Sequence, residues 1–147
     1  MTRFVWPTLL LSEADFVEVG GVWVQRLPMI FEVWDSFESE GIEVWDQAVV
    51  RAPELFVVGV TWQSLQCVLE GLPKGFRLPK LEEWRVFGAS QGPECLDSLW
   101  HWCEDAKSAD EPYLRMICKG DESDWAGWQS HSDDLGFRLV FDPSLTD

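Results

Sequence analysis

Basic residues are scarce in this chain. Eleven Lys and Arg stand against 26 Asp and Glu, giving a formal charge of −15 and a pI near 4.3. A protein that binds DNA or RNA needs a basic face to neutralise phosphates, so no direct contact with nucleic acid is expected. Histidine is rarer still, with His101 and His131 alone. No apolar stretch approaches the roughly 18 residues that a membrane helix requires. The short run Thr8-Leu9-Leu10-Leu11 is followed at once by Glu13 and Asp15, which denies it the shape of a signal peptide. The expectation is therefore a cytoplasmic protein that does not engage membranes. No two cysteines form a C-x-x-C pair, which argues against a zinc knuckle or a thioredoxin-like site. Cys67, Cys95, Cys103 and Cys118 are then expected as free thiols of a reducing compartment.

Aromatic residues are abundant but unevenly chosen: ten Trp and nine Phe against a single Tyr. Trp buries a large area and carries one N–H donor. Ten of them suit a fold with few regular elements, where large rings fill the space between loops, and some could serve as surface anchors for a partner. The 147 residues fit one domain, 1–147, with no internal repeat and no low-complexity linker.

Hydrophobic alternation over 16–24, interrupted by Gly20-Gly21, predicts a strand, a turn and a second strand. Residues 29–33 read as a third strand. Asp35 with Glu38 three positions on is spaced as a capping box and predicts a helix closed by Gly41. Thr61 is placed to cap a helix whose Trp62, Leu65, Val68, Leu69 and Leu72 recur at helical spacing, stopped by Pro73 and Gly75. Pro79 suits a first helical position and predicts another helix closed by Gly88. Beyond Gly92 the pattern is of short strands between acidic turns, including 114–118 and 136–141. Over 100–102 an extended chain would place Trp100 and Trp102 on one face and His101 on the other. His101 reads as a surface or internally satisfied residue.

Several of these segments together resemble the formylglycine-generating-enzyme family, also known as the sulfatase-modifying-factor family. Val58-Gly59-Val60-Thr61-Trp62 is similar to that family's P-V-x-x-V-S-W segment. Phe76-Arg77-Leu78-Pro79-Lys80-Leu81-Glu82-Glu83-Trp84 is similar to its R-L-P-T-E-A-E-W helix start. Trp100-His101-Trp102 stands where the family has V-W-E-W. Gly136-Phe137-Arg138-Leu139-Val140 matches its closing G-F-R-L-V strand, and Phe31-Glu32-Val33-Trp34 is similar to its E-V-T segment. The resemblance covers about 22–141. It implies an α+β, C-type-lectin-like fold, with two main helices packed on small antiparallel sheets and much irregular chain. Arg77, Glu83, Trp84 and Arg138 read as residues that hold this scaffold together, with Arg side chains satisfying loop carbonyls.

The same resemblance exposes what is missing. Copper-binding members of the family use two cysteines a few residues apart late in the domain. Here the late cysteines Cys95, Cys103 and Cys118 are separated by eight and fifteen positions, so a two-thiolate copper site would need Cys103 and Cys118 to meet across strands. Iron-dependent relatives use a histidine-rich triad that two histidines cannot supply. The glutamate of V-W-E-W, tied in the family to calcium, is His101 here. Asp121, Glu122, Asp124, Asp133 and Asp134 form a dense acidic segment of the oxygen-ligand type that calcium favours, though at no EF-hand spacing. The expected reading is no catalytic residue and no resident cofactor, with calcium the cation the acids would suit.

The segment between Gly120 and Gly136 is where the resemblance places the variable, ligand-facing surface. Asp121, Asp124, Trp125, Trp128 and His131 are the candidate partner-binding residues, because Trp side chains beside acids can grip a basic or aromatic group. The alternative role for both Trp is to fill the core beneath a short loop. The leading expectation is a non-catalytic binding or assembly module engaging a protein partner with a basic surface, such as a small subunit, a phage protein or a domain acting in bacterial conflict. The alternatives are a diverged metal-dependent oxidase of the same scaffold and an acidic inhibitor that mimics nucleic acid.

Overall fold

The computed structural model describes residues 6–8, 11–42, 55–92, 99–130, 132 and 134–146. Strands β1 (Phe16–Val19) and β2 (Val22–Gln25) form the expected hairpin. Gly20 and Gly21 turn it with positive φ angles of 60° and 90°, a conformation that glycine adopts without steric cost. Next come helices α1 (Phe31–Ser39) and α2 (Trp62–Gly71), strand β3 (Phe76–Arg77) and helix α3 (Leu81–Gln91). Strands β4 (Trp100–Ala106), β5 (Leu114–Lys119), β6 (Glu122–Gly127), β7 (Leu135–Gly136) and β8 (Val140–Phe141) complete the order. The strands build two four-stranded sheets, β1-β2-β8-β3 and β6-β5-β4-β7. The result is an α+β protein with three helices among the described residues. The first sheet is antiparallel, whereas the second carries one parallel pair, β4 with β7.

Residues 31–33, expected as strand, are the first turn of α1. Phe31, Trp34 and Phe37 recur every three residues and are all buried, a period that belongs to a helix face. Asp35 lies inside this helix on the exposed side and caps nothing; the N-cap is Ile30, without a side-chain bond. The Thr61 expectation holds. Its side chain accepts from the Ser64 N–H at 3.0 Å, while the Ser64 hydroxyl donates to the Thr61 carbonyl. Helix α3 runs past Gly88, which is buried within it, and ends at Gly92 with φ 98°.

The expected strand over 136–141 is divided. Residues Leu135 and Gly136 pair with β4 in the second sheet, whereas Val140 and Phe141 lie between β2 and β3 in the first. The connection between them is fully buried and carries Arg138, 1% exposed. Gly136 is required where the chain crosses: a Cβ there would meet the Val57 carbonyl oxygen at 2.7 Å. One core cluster joins the α1 face to Leu65, Trp102, Phe137 and Phe141, and a second lies beneath α3 around Trp84, Phe87, Cys103, Met116 and Cys118. Trp102, wholly buried, donates its indole N–H to the Val60 carbonyl at 2.9 Å.

Arg77 ties three parts of the chain together. Its guanidinium meets Glu83 in a bidentate pair at 2.7 and 2.6 Å and reaches Asp142 at 3.1 Å. Glu83 Oε1 also accepts from the Lys80 N–H at 2.9 Å, opening α3. Burial alone would raise the Glu83 carboxyl, but the bonds from Arg77 and Lys80 outweigh it and hold the pKa below its ordinary value. Glu83→Gln is expected to cost about 2–3 kcal/mol of stability at neutral pH, since it leaves a part-buried guanidinium short of charge. A depressed carboxyl stabilises above its unfolded pKa and ceases to do so as the pH falls through its folded value. Urea unfolding of the variant should therefore show a shallower loss of stability on the acid side than the parent chain.

Candidate functional site

The register of the β5–β6 hairpin decides where the candidate residues go. Met116 pairs with Trp125, Ile117 with Asp124, and Cys118 with Ser123. Side chains alternate across a strand, and Met116 and Cys118 face the cluster beneath α3. Trp125 shares their side and packs, half-buried, against that same cluster. The indole of Trp84, beneath α3, donates to the Gly120 carbonyl at 3.0 Å and so anchors the hairpin turn. Asp121 is exposed in this turn, and Asp124 is exposed on β6 with its Oδ1 accepting from the Trp125 N–H at 2.8 Å.

Trp128 stands elsewhere. It follows β6 at the end of the hairpin remote from the turn, on the order of 20 Å from Asp121 by strand rise, and is 42% exposed. The candidates therefore do not converge: Asp121 lies at the turn, Trp125 on the inner side, and Trp128 at the far edge. His131 lies outside the described residues, as does Asp133.

What does converge is a set around Trp128 that the sequence pattern alone does not assemble. Its N–H donates to the Tyr113 carbonyl at 2.8 Å, and its carbonyl accepts from the Gln63 N–H at 3.1 Å, in the first turn of α2. Tyr113 is 48% exposed, so two large rings stand on one edge whose backbone is held from both sides. Two residues along β5 from Tyr113, Arg115 lays its guanidinium over the Trp62 ring, 4.0 Å from the ring centroid, and donates from Nη1 to the Glu104 carbonyl at 3.1 Å. Beside them opens a cleft of about 360 Å³, walled by Trp62, Gln66 and Glu70 of α2 and by Glu104 and Arg115. The helical spacing of 62, 66 and 70 and the alternation of 113 and 115 are the signals that point to it in the sequence.

Behind the hairpin lies a buried polar pair. His101 is fully buried and not at the surface. Its Nδ1 sits 2.9 Å from the Leu99 carbonyl, which can only accept, so the ring proton is on Nδ1. The Nε2 lone pair then accepts from Arg138 Nη1 at 3.2 Å. Burial, together with the Arg138 charge, pushes the imidazole well below its ordinary pKa. Cys103 and Cys118 meet across β4 and β5 with their sulfurs 3.4 Å apart, the contact a two-thiolate site would need. The bond to Cys118 and burial push the Cys103 thiol well above its usual value. Cys95 lies outside the described residues. Among those described, no three His, Cys, Asp or Glu residues are grouped to hold a metal ion, and no helix is long and apolar enough to cross a membrane.

A neutral His101 has a definite consequence for stability. Below about pH 6.5 the unfolded chain takes up a proton that the folded chain refuses, so stability falls with pH at up to about 1.4 kcal/mol per unit. Urea midpoints measured between about pH 7 and pH 5.5 should show this slope, and His101→Gln should flatten it. In ¹⁵N NMR the ring should keep the neutral Nδ1–H form across the same range.

No family model matches the chain, and no curated protein matches it. Two solved structures are similar in fold. One is Treponema denticola variable protein 1, with a TM-score of 0.60 at 14% identity, covering 83% of this chain and 84% of that one. The other is the crystal structure of CarF, with a TM-score of 0.61 at 13% identity, covering 82% of this chain and 86% of that one. Across most of its length this chain thus has a distant fold relation to both.

Proposed function

We propose that the chain is a non-catalytic binding module on a C-type-lectin-like, formylglycine-generating-enzyme-like scaffold, and that it engages a protein partner through the Trp128–Tyr113 edge. The observation that carries this reading is the exposure of both rings on backbone held by β5 and α2. Trp and Tyr are the residues on which binding energy concentrates, and rigid anchors lose little entropy on docking. The motif order of the sequence and the distant fold relations support the scaffold assignment. The acidic charge of the chain, with Asp121 and Asp124 exposed on the same hairpin, suits a partner with a basic surface.

A specific observation also favours a second reading, a diverged metal-dependent oxidase: the contact of Cys103 with Cys118. Stoichiometric copper in the purified protein, lost on Cys118→Ser, would support it.

The binding reading is tested by capturing partners of the tagged chain from lysate of its native host and identifying them by mass spectrometry. Joint replacement of Trp128 and Tyr113 by Ala should abolish a stoichiometric partner with little change in stability. Trp125→Ala should instead destabilise the fold by about 2 kcal/mol, because it removes an inner packing ring, while the folded fraction keeps the partner. Loss of the partner with Trp125 but not with Trp128 and Tyr113 would show the edge to be wrongly chosen.

A further inference from the structure

We infer that Cys103 and Cys118 are a redox-sensitive pair, two thiols that close reversibly into a disulfide stapling β4 to β5. The inference rests on neither functional reading of the chain and follows from how the two strands meet. His101 pairs with Cys118 and Trp102 with Ile117, after which the register shifts before Ala106 meets Arg115. Side chains alternate along a strand, so Cys103 shares the face of His101 and stands diagonally across from Cys118. Both sulfurs turn into the cluster beneath α3 and approach to 3.4 Å. A disulfide holds its sulfurs at about 2.0 Å, so they have to close by roughly 1.4 Å. The irregular stretch of β4 can supply that movement: within the register shift, the Glu104 N–H donates to the Pro79 carbonyl ahead of α3 at 2.8 Å.

Both side chains are fully buried, so the reaction waits on local opening, which costs less than unfolding the whole chain. The turn just beyond Cys118 is the place for it. Asp121 is exposed there, and the turn is tied down by the Trp84 indole N–H on the Gly120 carbonyl. The oxidant that fits such an opening is a small hydroperoxide, of which hydrogen peroxide is the simplest. Cys118 is the attacking sulfur: the bond it receives from Cys103 holds its thiol below the usual value against the opposing effect of burial, and the Arg85 charge acts the same way. Its thiolate attacks one peroxide oxygen and the O–O bond breaks. The hydroxide released takes up the proton of the Cys118 thiol and becomes water, leaving a sulfenic acid. Cys103 then attacks the sulfenic sulfur and forms the S–S bond, and its proton leaves with the sulfenic hydroxyl as a second water. Two thiols thus lose two electrons and two protons, and the peroxide is reduced to water. A dithiol reductant reverses the link by exchange. The two residues are fifteen positions apart, so the link closes a loop that contains Tyr113 and restricts the unfolded chain.

The test treats the reduced, folded chain with hydrogen peroxide, with a copper chelator present so that bound metal plays no part. Intact mass should fall by two hydrogen atoms, with the far-UV circular dichroism unchanged. Peptide mapping without reductant should join Cys103 to Cys118, and dithiothreitol should restore both thiols. In urea the linked form should unfold with an equilibrium constant about a hundredfold lower than the dithiol form. Cys103→Ala should leave Cys118 with no sulfur to capture its sulfenic acid, so that the sulfinic acid accumulates instead. If that variant fails to fold, mapping of the parent chain decides alone. Thiols that survive excess peroxide in the folded chain overturn the inference, as does a link made through Cys67 or Cys95. Sulfinic acid at Cys118 with Cys103 intact, or a linked form no more stable than the dithiol, overturns it equally.

Discussion

The Arg77 guanidinium is the joint on which the rest of the structure depends. It sits where β3, the start of α3 and the chain after β8 meet, and its partners come from all three. A bidentate pair between planar groups fixes orientation as well as distance. Glu83 in turn opens α3 by accepting the Lys80 N–H, so the same carboxylate that neutralises Arg77 sets where the helix begins. Glu104 approaches the guanidinium at 3.7 Å from β4, which brings the second sheet to the same joint. Elements of only two residues, such as β3 and β8, have few ladder bonds of their own. Their place in the fold comes from such side-chain ties and from the packing of Phe76 on Phe141, with ring centroids 4.9 Å apart.

The two sheets are coupled through the buried crossing between β7 and β8. Gly136 lets that segment pass against the Val57 carbonyl, and Arg138 then spans from the Arg26 carbonyl to His101. A buried cation needs acceptors that are themselves aligned. His101 provides one only as the neutral tautomer, and the Leu99 carbonyl enforces that tautomer. The strand bearing Trp102 in the first core thus presents, on its other face, the ring that receives Arg138 near the second. Stability and protonation are linked here by geometry.

Much of the scaffold is legible in the order of the amino acids. Thr61 announces α2 through local capping, and Gly20-Gly21 announces the first hairpin, because both signals act within a few residues. The start of α1 reads instead as a strand, because Met29, Ile30, Phe31 and Val33 make a nearly continuous apolar run; only the burial of Phe31, Trp34 and Phe37 reveals the helical period. The strand expected over 136–141 is divided by tertiary contacts with two different sheets, which no local pattern encodes. The candidate site is less legible still. Asp121, Trp125 and Trp128 are close in sequence, yet a hairpin of two six-residue strands carries its turn and its open end to opposite edges. Gln63, which holds the Trp128 carbonyl, and Arg115, which lines the nearby cleft, are distant from Trp128 in the chain and come near it only through α2 and the register of β5.

That register also explains why two Trp residues three positions apart have different parts to play. Side-chain direction alternates along a strand, so Trp125 must follow Met116 and Cys118 inward if β6 pairs with β5 as it does. Trp128 lies beyond the paired residues, where the backbone is free to turn and is instead caught by Tyr113 and Gln63. An inward ring packs the hairpin against the cluster beneath α3, and an outward ring then stands on backbone hydrogen-bonded from both sides. Exposed aromatics on a mobile loop would lose conformational entropy when bound. These bonds lower the backbone part of that cost for Trp128, a property that suits a docking edge.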